Sequence, residues 1–190
     1  MLEICCTFAA AMTKGVFNFN KAMNAVLYIV KHLKRTDFHK VFKILYFSDR
    51  DMLSQAGMMI TGDTYIAMND GPVPSNIYDI FKSVRGDGFF NNQAELTAWI
   101  GVENWDLVTA KKEPDMRCLS KMDIQIIDET LQKYGELSWD EIREKSHDYA
   151  WRNTTPNRPI DVKNMLVETG ESDSYIQYVQ EEMELETLVK

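Results

Sequence analysis

Apolar residues recur at intervals of three and four positions in several segments of the chain, which is the spacing of one face of an α-helix. After Asp37 the apolar positions widen beyond a single stripe and continue towards Gly57. An apolar surface this broad predicts the central core helix of the molecule. Six helices are predicted in all, and they begin after the candidate caps Asn20, Asp37, Ser75, Ser120 and Ser138 and, for the last, at Tyr175.

Two other stretches favour strands. Thr64 to Met68 combines β-branched and aromatic residues, and it precedes the turn-prone residues 69–71. Residues 86–118 hold few helical signals and contain segments of β-type composition, which predicts a small sheet or hairpin. The predicted fold class is therefore α+β and mostly helical, with about six helices around a core helix and a small antiparallel sheet or hairpin.

Size and charge narrow the classes of function. The chain has 190 residues, of which 45% are apolar, so one ordinary globular core is expected. Its net charge of -8 argues against a surface devoted to nucleic acid or anionic lipid, because those partners require concentrated Lys and Arg. Nucleic acid is thus an unlikely partner.

The cysteines and the N-terminus bear on location. Three cysteines, two of them adjacent at positions 5 and 6, fit neither a disulfide framework nor a zinc site. Residues 1–11 are apolar, but Glu3 interrupts them and no basic residue precedes them, so a signal peptide is not predicted; Met12 is a candidate natural start. No apolar run reaches the length of a membrane span. These features predict a cytoplasmic location.

Motifs for chemistry are missing. The chain has no phosphate-binding loop, dinucleotide fingerprint, zinc-protease motif or serine-hydrolase elbow, so we predict no catalytic residue, cofactor or metal site and no enzyme. Residues 146–148 are Ser-His-Asp, but adjacent residues do not readily form a triad, and a helix end beside Trp151 is favoured. Residues 49–51 are Asp-Arg-Asp, which could be a carboxylate pair with a guanidinium or, as we favour, a structural ion-pair network.

The run Ile60 to Pro74 contains several residues that permit or impose particular backbone conformations. Gly62 and Gly71 permit positive φ, and Asp63 can accept hydrogen bonds from turn amides. Prolines at positions 72 and 74 fix φ and prevent a helix before Ser75. The composition predicts a rigid, pre-shaped connector.

Three segments occur in this order: KVFKILYFSDRDML, GMMITGDTYIAMNDGPVPSNIYD and LSKMDIQIIDETLQKYGELSWDEIREKSH, with Trp151 just beyond. Together they resemble the Panacea domain, the SocA-like antitoxin domain of bacteria and their phages. The resemblance places this domain at 17–153, with an N-terminal extension at 1–16 and a C-terminal loop and acidic helix at 154–190. The residues that match the family pattern are Tyr46, Asp49, Gly62, Asp63, Ala67, Gly71, Pro72, Val73, Tyr78, Tyr134, Gly135 and His147.

The resemblance implies an antitoxin that neutralises a cognate protein toxin, usually encoded beside it, by direct binding. An alternative is a proteolytic adaptor that delivers the toxin to a bacterial protease. A third and less favoured class is a DNA-binding autoregulator that uses the basic region Lys31 to Arg50. The resemblance does not identify the toxin, because toxins paired with this family belong to many classes.

Charge is unevenly distributed along the chain. Eight basic residues lie from Lys14 to Arg50, whereas seven acidic residues and one lysine lie from Glu168 to the end. The acidic last helix is amphipathic, so it could cover a basic surface on the toxin or pack on the protein's own basic first helices. The candidate partner-binding residues are Tyr175, Ile176, Val179, Glu181, Glu182 and Met183, with Asp63, Tyr65 and Val73 in the connector as secondary candidates.

Overall fold

The computed structural model describes residues 16–188, with side chains as far as Leu185. The helices are α1 Phe19–His32, α2 Phe38–Ala56, α3 Ser75–Arg85, α4 Gln93–Leu96, α5 Lys121–Tyr134, α6 Trp139–Ser146, α7 Tyr149–Arg152, α8 Val162–Glu168 and α9 Asp173–Leu188. The strands are β1 Tyr65–Met68, β2 Gly71–Pro74, β3 Ile100–Glu103 and β4 Leu107–Ala110, and a 3₁₀ turn spans Met116–Cys118. The predicted features of residues 1–15 lie outside the described part of the chain.

The predicted fold class, mostly helical α+β with small antiparallel sheets, is confirmed. Helix α2 begins after Asp37, whose carboxylate accepts the Lys40 amide at 3.0 Å, and it ends at Gly57 with φ 65°. The predicted cap of α1 is wrong: Asn18 caps this helix, and Asn20 lies within its first turn. Within the described residues, no helix is long and apolar enough to cross a membrane.

Helices α4, α7 and α8 were not among those predicted. They contain four, four and seven residues, which is too short for a helical repeat of apolar positions to stand out. The predicted β-type region at 86–118 contains α4 as well as the β3–β4 hairpin. The last helix was predicted from Tyr175, and it begins two residues earlier, at Asp173.

Helix α2 is the core of the molecule, as its broad apolar surface predicted. It packs against α1, α5, α6 and α8 and against strand β2. Fourteen of its nineteen residues are buried, so even its charged side chains lie largely in the interior. This central position places α2 directly against strand β2 of the connector's hairpin and against helix α6 beside it.

The connector forms a β-hairpin, and a third backbone segment pairs with the outer edge of its first strand. Strands β1 and β2 pair antiparallel from Tyr65 opposite Pro74 to Met68 opposite Gly71, leaving a two-residue turn. The opposite edge of β1 is occupied by residues 157–160, whose backbone exchanges hydrogen bonds of 2.8 to 3.0 Å with Tyr65 and Ala67. The predicted loop after Trp151 therefore completes this sheet, a long-range pairing that its composition did not indicate.

The C-terminal helices pack on the end of α2. Ile176 and Val179 of α9 are buried, and the Tyr175 hydroxyl donates to the Leu53 carbonyl at 3.4 Å. Ser54, also on α2, donates to the carboxylate of Glu171 at 2.5 Å. Helix α9 therefore uses its apolar face against α8 and the last turns of α2.

Candidate protein-binding surface

Asp49 fastens the start of the connector to the core helix. Its carboxylate accepts the backbone amides of Ile60 at 2.7 Å and Thr61 at 3.0 Å, and the hydroxyl of Tyr65 at 2.7 Å. The Thr61 hydroxyl is a fourth donor. Asp49 is fully buried, and burial raises its pKa while these hydrogen bonds oppose the shift. Both carboxylate oxygens are occupied, so Asp49 is a structural anchor.

Asp63 caps helix α3 from outside the helix. It accepts the amides of Asn76 and Ile77 at 3.0 Å each, together with the Asn76 side chain at 2.9 Å and the Thr64 amide at 2.7 Å. The predicted cap, Ser75, is the first residue of α3 and makes no capping hydrogen bond. Ser75 does not cap the helix because the connector brings the Asp63 carboxylate to the free amides at the start of α3, where it accepts their hydrogen bonds.

Asp148 is the centre of a third buried network. It accepts the hydroxyl of Tyr46 at 2.8 Å, the guanidinium of Arg50 at 3.3 Å and the Trp151 amide at 3.0 Å. Arg50 also pairs with Asp51. Asp49 and Asp51 therefore have separate partners, and Arg50 joins Asp51 to Asp148 in the structural network that was favoured.

Two lysines of α2 are buried, and both belong to the basic region that the DNA-binding alternative would use. The Lys43 ammonium donates to the Pro72 carbonyl at 2.9 Å, and that of Lys40 donates to the Tyr134 carbonyl at 3.1 Å and to the Leu137 carbonyl. Burial lowers the pKa of Lys43 to about 7 and that of Lys40 to about 8. Since Arg50 is buried as well, the Lys31 to Arg50 region offers fewer charges to DNA than the sequence suggested.

The remaining signature residues shape the scaffold. Tyr134 stacks on Phe47 with ring centroids 4.1 Å apart, and Tyr78 contacts Phe38 and Phe42 edge-on. Gly71 has φ 96°, and a Cβ there would lie 2.3 Å from the Ser146 hydroxyl. The other signature positions are buried or half-buried, and they are Gly62, Ala67, Pro72, Val73 and Gly135.

The turn between β1 and β2 lies between two tryptophans, each stacked on a histidine. On one side, Trp139 stacks on His39 with centroids 4.4 Å apart, and His39 Nε2 donates to the Asp70 carbonyl at 3.2 Å. On the other side, Trp151 stacks on His147 at 3.7 Å and 4°, and its indole donates to the Met68 carbonyl at 2.9 Å. We call residues 68–70 with Trp139 and Trp151 the turn face.

Both histidines of these stacks bind a proton less readily than a free imidazole. Burial lowers the pKa of His39 to about 4 and also lowers that of His147. Because a carbonyl can only accept, His39 carries its proton on Nε2. His147 ends helix α6 beside Trp151, which is the helix end favoured for residues 146–148.

The turn face is accessible to a partner. Met68 and Trp139 keep 36% and 37% of their surface exposed, and Asn69 and Asp70 are exposed at the turn. Arg143 donates to the Asp70 carboxylate at 3.1 Å and lies over the Trp139 ring. None of these residues was predicted to bind a partner. The helical spacing gave no signal, because positions 139, 142 and 146 share one face of their helix, and that face is buried at Ile142 and Ser146.

The predicted partner-binding residues have mixed environments. Ile176 and Val179 are buried against the protein itself, so in this structure they offer no surface to a partner. Asp63 and Tyr65 are likewise buried, in the networks described above. Glu181 is exposed and accepts a hydrogen bond from Gln177. The remaining candidates are half-buried, and they are Val73, Tyr175, Glu182 and Met183.

In the described part of the chain, no group of three or more His, Cys, Asp or Glu side chains could hold a metal ion. A family model described as antitoxin SocA-like, Panacea domain, matches residues 41–152. This match covers more than half of the chain, and it includes all of the turn face and its stacked His147. Comparison with curated proteins and with solved structures gave no match.

Proposed function

The chain belongs to the SocA-like antitoxin family with a Panacea domain, and we propose that it neutralises a cognate protein toxin by binding it directly. On this proposal the toxin is the product of a neighbouring gene, and the two proteins meet in the cytoplasm. The antitoxin blocks the toxin by occupying it, one molecule for each molecule bound, and carries out no reaction.

The use made of the buried carboxylates supports binding over catalysis. Asp49 and Asp63 are the acids of the signature, and Asp148 directly follows its His147; each of the three accepts at least three hydrogen bonds from the same chain. Carboxylates committed in this way position backbone and are poorly placed to take a proton from a substrate. They hold a hairpin whose turn is presented to solvent.

Titration of toxin with antitoxin separates these two modes of action. The probe is the purified product of the neighbouring open reading frame, assayed for its toxic activity with increasing amounts of this protein. We expect activity to fall in proportion to antitoxin and to disappear near equimolar amounts, with a complex that survives gel filtration. Complete inactivation by a tenth of an equivalent, increasing with time, would instead identify an enzyme.

Growth assays separate direct inhibition from delivery to a protease. Cells that express the neighbouring product should be rescued by this protein in both wild-type and protease-deficient strains. Rescue that disappears in the deficient strain would support the adaptor alternative. A gel shift with the protein's own promoter at low salt tests the autoregulator alternative, and we expect no shift.

A further inference from the structure

Helix α9 carries apolar side chains on two opposite faces. Ile176 and Val179 form the inner face and are buried in the hydrophobic core. Tyr178 and Leu185 lie on the other side of the helix, and they keep 49% and 57% of their surface exposed. Positions 178, 181 and 185 follow the spacing of a single helix face, so exposed Glu181 lies between the two apolar side chains. We call these three residues the outer stripe of α9.

The helix that carries the outer stripe is negatively charged. Helix α9 contains five acidic residues and no basic one, and the turn before it adds Glu171. Glu181 accepts a hydrogen bond from the side-chain amide of Gln177, and Glu171 accepts one from the Ser54 hydroxyl. Neither donor carries a charge, so the negative charge of these carboxylates is not neutralised. Helix α8, beside α9, contains one acidic and one basic residue and therefore does not offset this charge.

Two other exposed aromatic clusters carry their own cations. On the turn face, the Arg143 guanidinium lies over the Trp139 ring and pairs with the Asp70 carboxylate. At the tip of the β3–β4 hairpin, Arg85 covers the exposed indole of residue 105 and pairs with Asp87. Such paired charges do not indicate which kind of partner would bind. The outer stripe differs from both clusters, because its helix contributes acids and no cation.

We infer that the toxin binds across the outer stripe of α9 with a basic surface that has an apolar centre. This inference rests on the proposed function and adds to it the position and chemistry of the contact. Tyr178 and Leu185 are about 10 Å apart along the helix axis, and contact with the toxin would remove both from water. Lys and Arg side chains around that contact would meet the carboxylates of α9.

Charge and position give this contact two properties. Opposite charges on the two proteins accelerate association and fix their relative orientation. The outer stripe also lies beyond residue 152, where the match to the family model ends, so it is not part of the shared family pattern. The contact can therefore change with the toxin while the scaffold around the connector is kept.

The experiment measures binding of the neighbouring gene product by calorimetry to the full chain and to its variants. Glu181→Lys should raise the Kd by about tenfold or more at low salt, and the effect should diminish at high salt because it arises from charge repulsion. Tyr178→Ala should raise the Kd about tenfold at both salt concentrations, because it removes apolar contact area.

Two control variants make matched changes elsewhere on the surface. Glu129 on α5 is exposed and accepts a hydrogen bond from Gln125 four residues earlier, as Glu181 does from Gln177. Glu129→Lys thus makes the same change in net charge, and it should leave the Kd within about twofold of wild type, because salt screens distant charges. Phe89→Ala, which removes a ring that is 78% exposed, should also leave the Kd unchanged. Circular dichroism and thermal melting should show that all four variants fold like wild type, since each changes an exposed side chain.

The outcomes separate this inference from the proposed function. If the wild-type chain binds the neighbouring product and Glu181→Lys and Tyr178→Ala bind it equally well, the outer stripe is not the contact, while the proposed function stands. Equal weakening by Glu181→Lys and Glu129→Lys would also overturn the inference, because net charge would then matter and position would not. If Phe89→Ala alone weakens binding, the contact lies after α3. Failure of the wild-type chain to bind the neighbouring product would contradict both proposals.

Discussion

At the scale of single residues, Gly71 shows how little space surrounds the turn. Its φ of 96° is rare for any residue with a side chain, and a Cβ would lie 2.3 Å from the Ser146 hydroxyl and 2.9 Å from Cε of Lys43. Glycine is therefore required at position 71 for two reasons. The positive φ disfavours residues with a side chain, and the close packing of the hairpin on helices α2 and α6 leaves no space for a Cβ.

Gly86 allows these two requirements to be separated. It also has a left-handed φ, 106°, but the nearest atom to an added Cβ would be 3.9 Å away. Gly86→Ala should lower the free energy of unfolding by about 1 kcal/mol, from backbone strain alone. Gly71→Ala should lower it by about 3 kcal/mol, because overpacking adds to the strain. Urea denaturation measures both, and equal losses would show that packing at Gly71 is unimportant.

Buried Lys43 makes stability depend on pH. Its pKa is about 7 in the folded protein and 10.5 ordinarily, so the unfolded chain binds the proton more tightly between these values. The free energy of unfolding should therefore rise with pH from about 7 towards 10.5. Lys43→Met should flatten that rise between pH 7 and 9, as measured by denaturant midpoints.

Two comparisons make the Lys43 experiment specific. Exposed Lys145→Met should keep the wild-type slope of stability against pH. The Lys43→Met slope should fall without reaching zero, because the pKa of Lys40, about 8 in the folded protein, is lowered as well and contributes to the same range. An unchanged slope in Lys43→Met would show that Lys43 does not titrate there.

At the scale of secondary-structure elements, helix α3 depends on a residue outside itself. Removal of the Asp63 carboxylate would leave the amides of Asn76 and Ile77 without their acceptor. Asp63→Ala should lower the free energy of unfolding by about 2–3 kcal/mol. Ser75→Ala should change it by less than about 0.5 kcal/mol, because the Ser75 hydroxyl lies 3.5 Å from Asp63 and caps nothing. Thermal and urea unfolding of both variants decide which residue caps α3.

Much of the element pattern follows from local sequence. The caps at Asp37, Ser120 and Ser138 and the glycine after α2 act within a few residues, so the pattern of the chain predicts them directly. The cap of α3 was mispredicted because Asp63 reaches it only after the hairpin has formed. Ser75 is next to these amides in the sequence, whereas Asp63 reaches them only in the folded chain. Sequence spacing therefore favours Ser75 as the cap and does not show that Asp63 is close enough to accept the hydrogen bonds.

The turn face illustrates the same limit at the candidate site. Family resemblance selected the signature residues as a group, but the partners of buried side chains, such as Thr61 for Asp49 and Pro72 for Lys43, depend on tertiary contacts. Lys40 and Lys43 were counted in the basic region Lys31 to Arg50 that a DNA-binding autoregulator would use, and charged residues are usually exposed. The broad apolar surface of α2 was the contrary signal, since a helix buried on all sides also buries its lysines.

At the scale of the whole molecule, α9 is part of the folded domain. Truncation after Glu171 would expose the core surfaces that Ile176 and Val179 cover, and we expect the Tm to fall by about 10 °C. Loss of toxin binding after this truncation would therefore not identify α9 as the contact. Glu181→Lys is the sharper test, because this exposed residue can be changed without disturbing the core. Its Tm should match wild type, and an unchanged Kd would exclude Glu181 from the interface.

The pairing of β1 with residues 157–160 has a consequence for synthesis of the protein. Tyr65 and Ala67 obtain their outer hydrogen-bond partners from residues 157–160, which are translated at least ninety residues later. Until the ribosome has passed Ile160, the nascent chain exposes an open strand edge, the kind of surface that aggregates or is degraded. Prematurely terminated chains therefore differ from finished ones by an unfilled edge, which gives cellular quality control a physical feature to recognise.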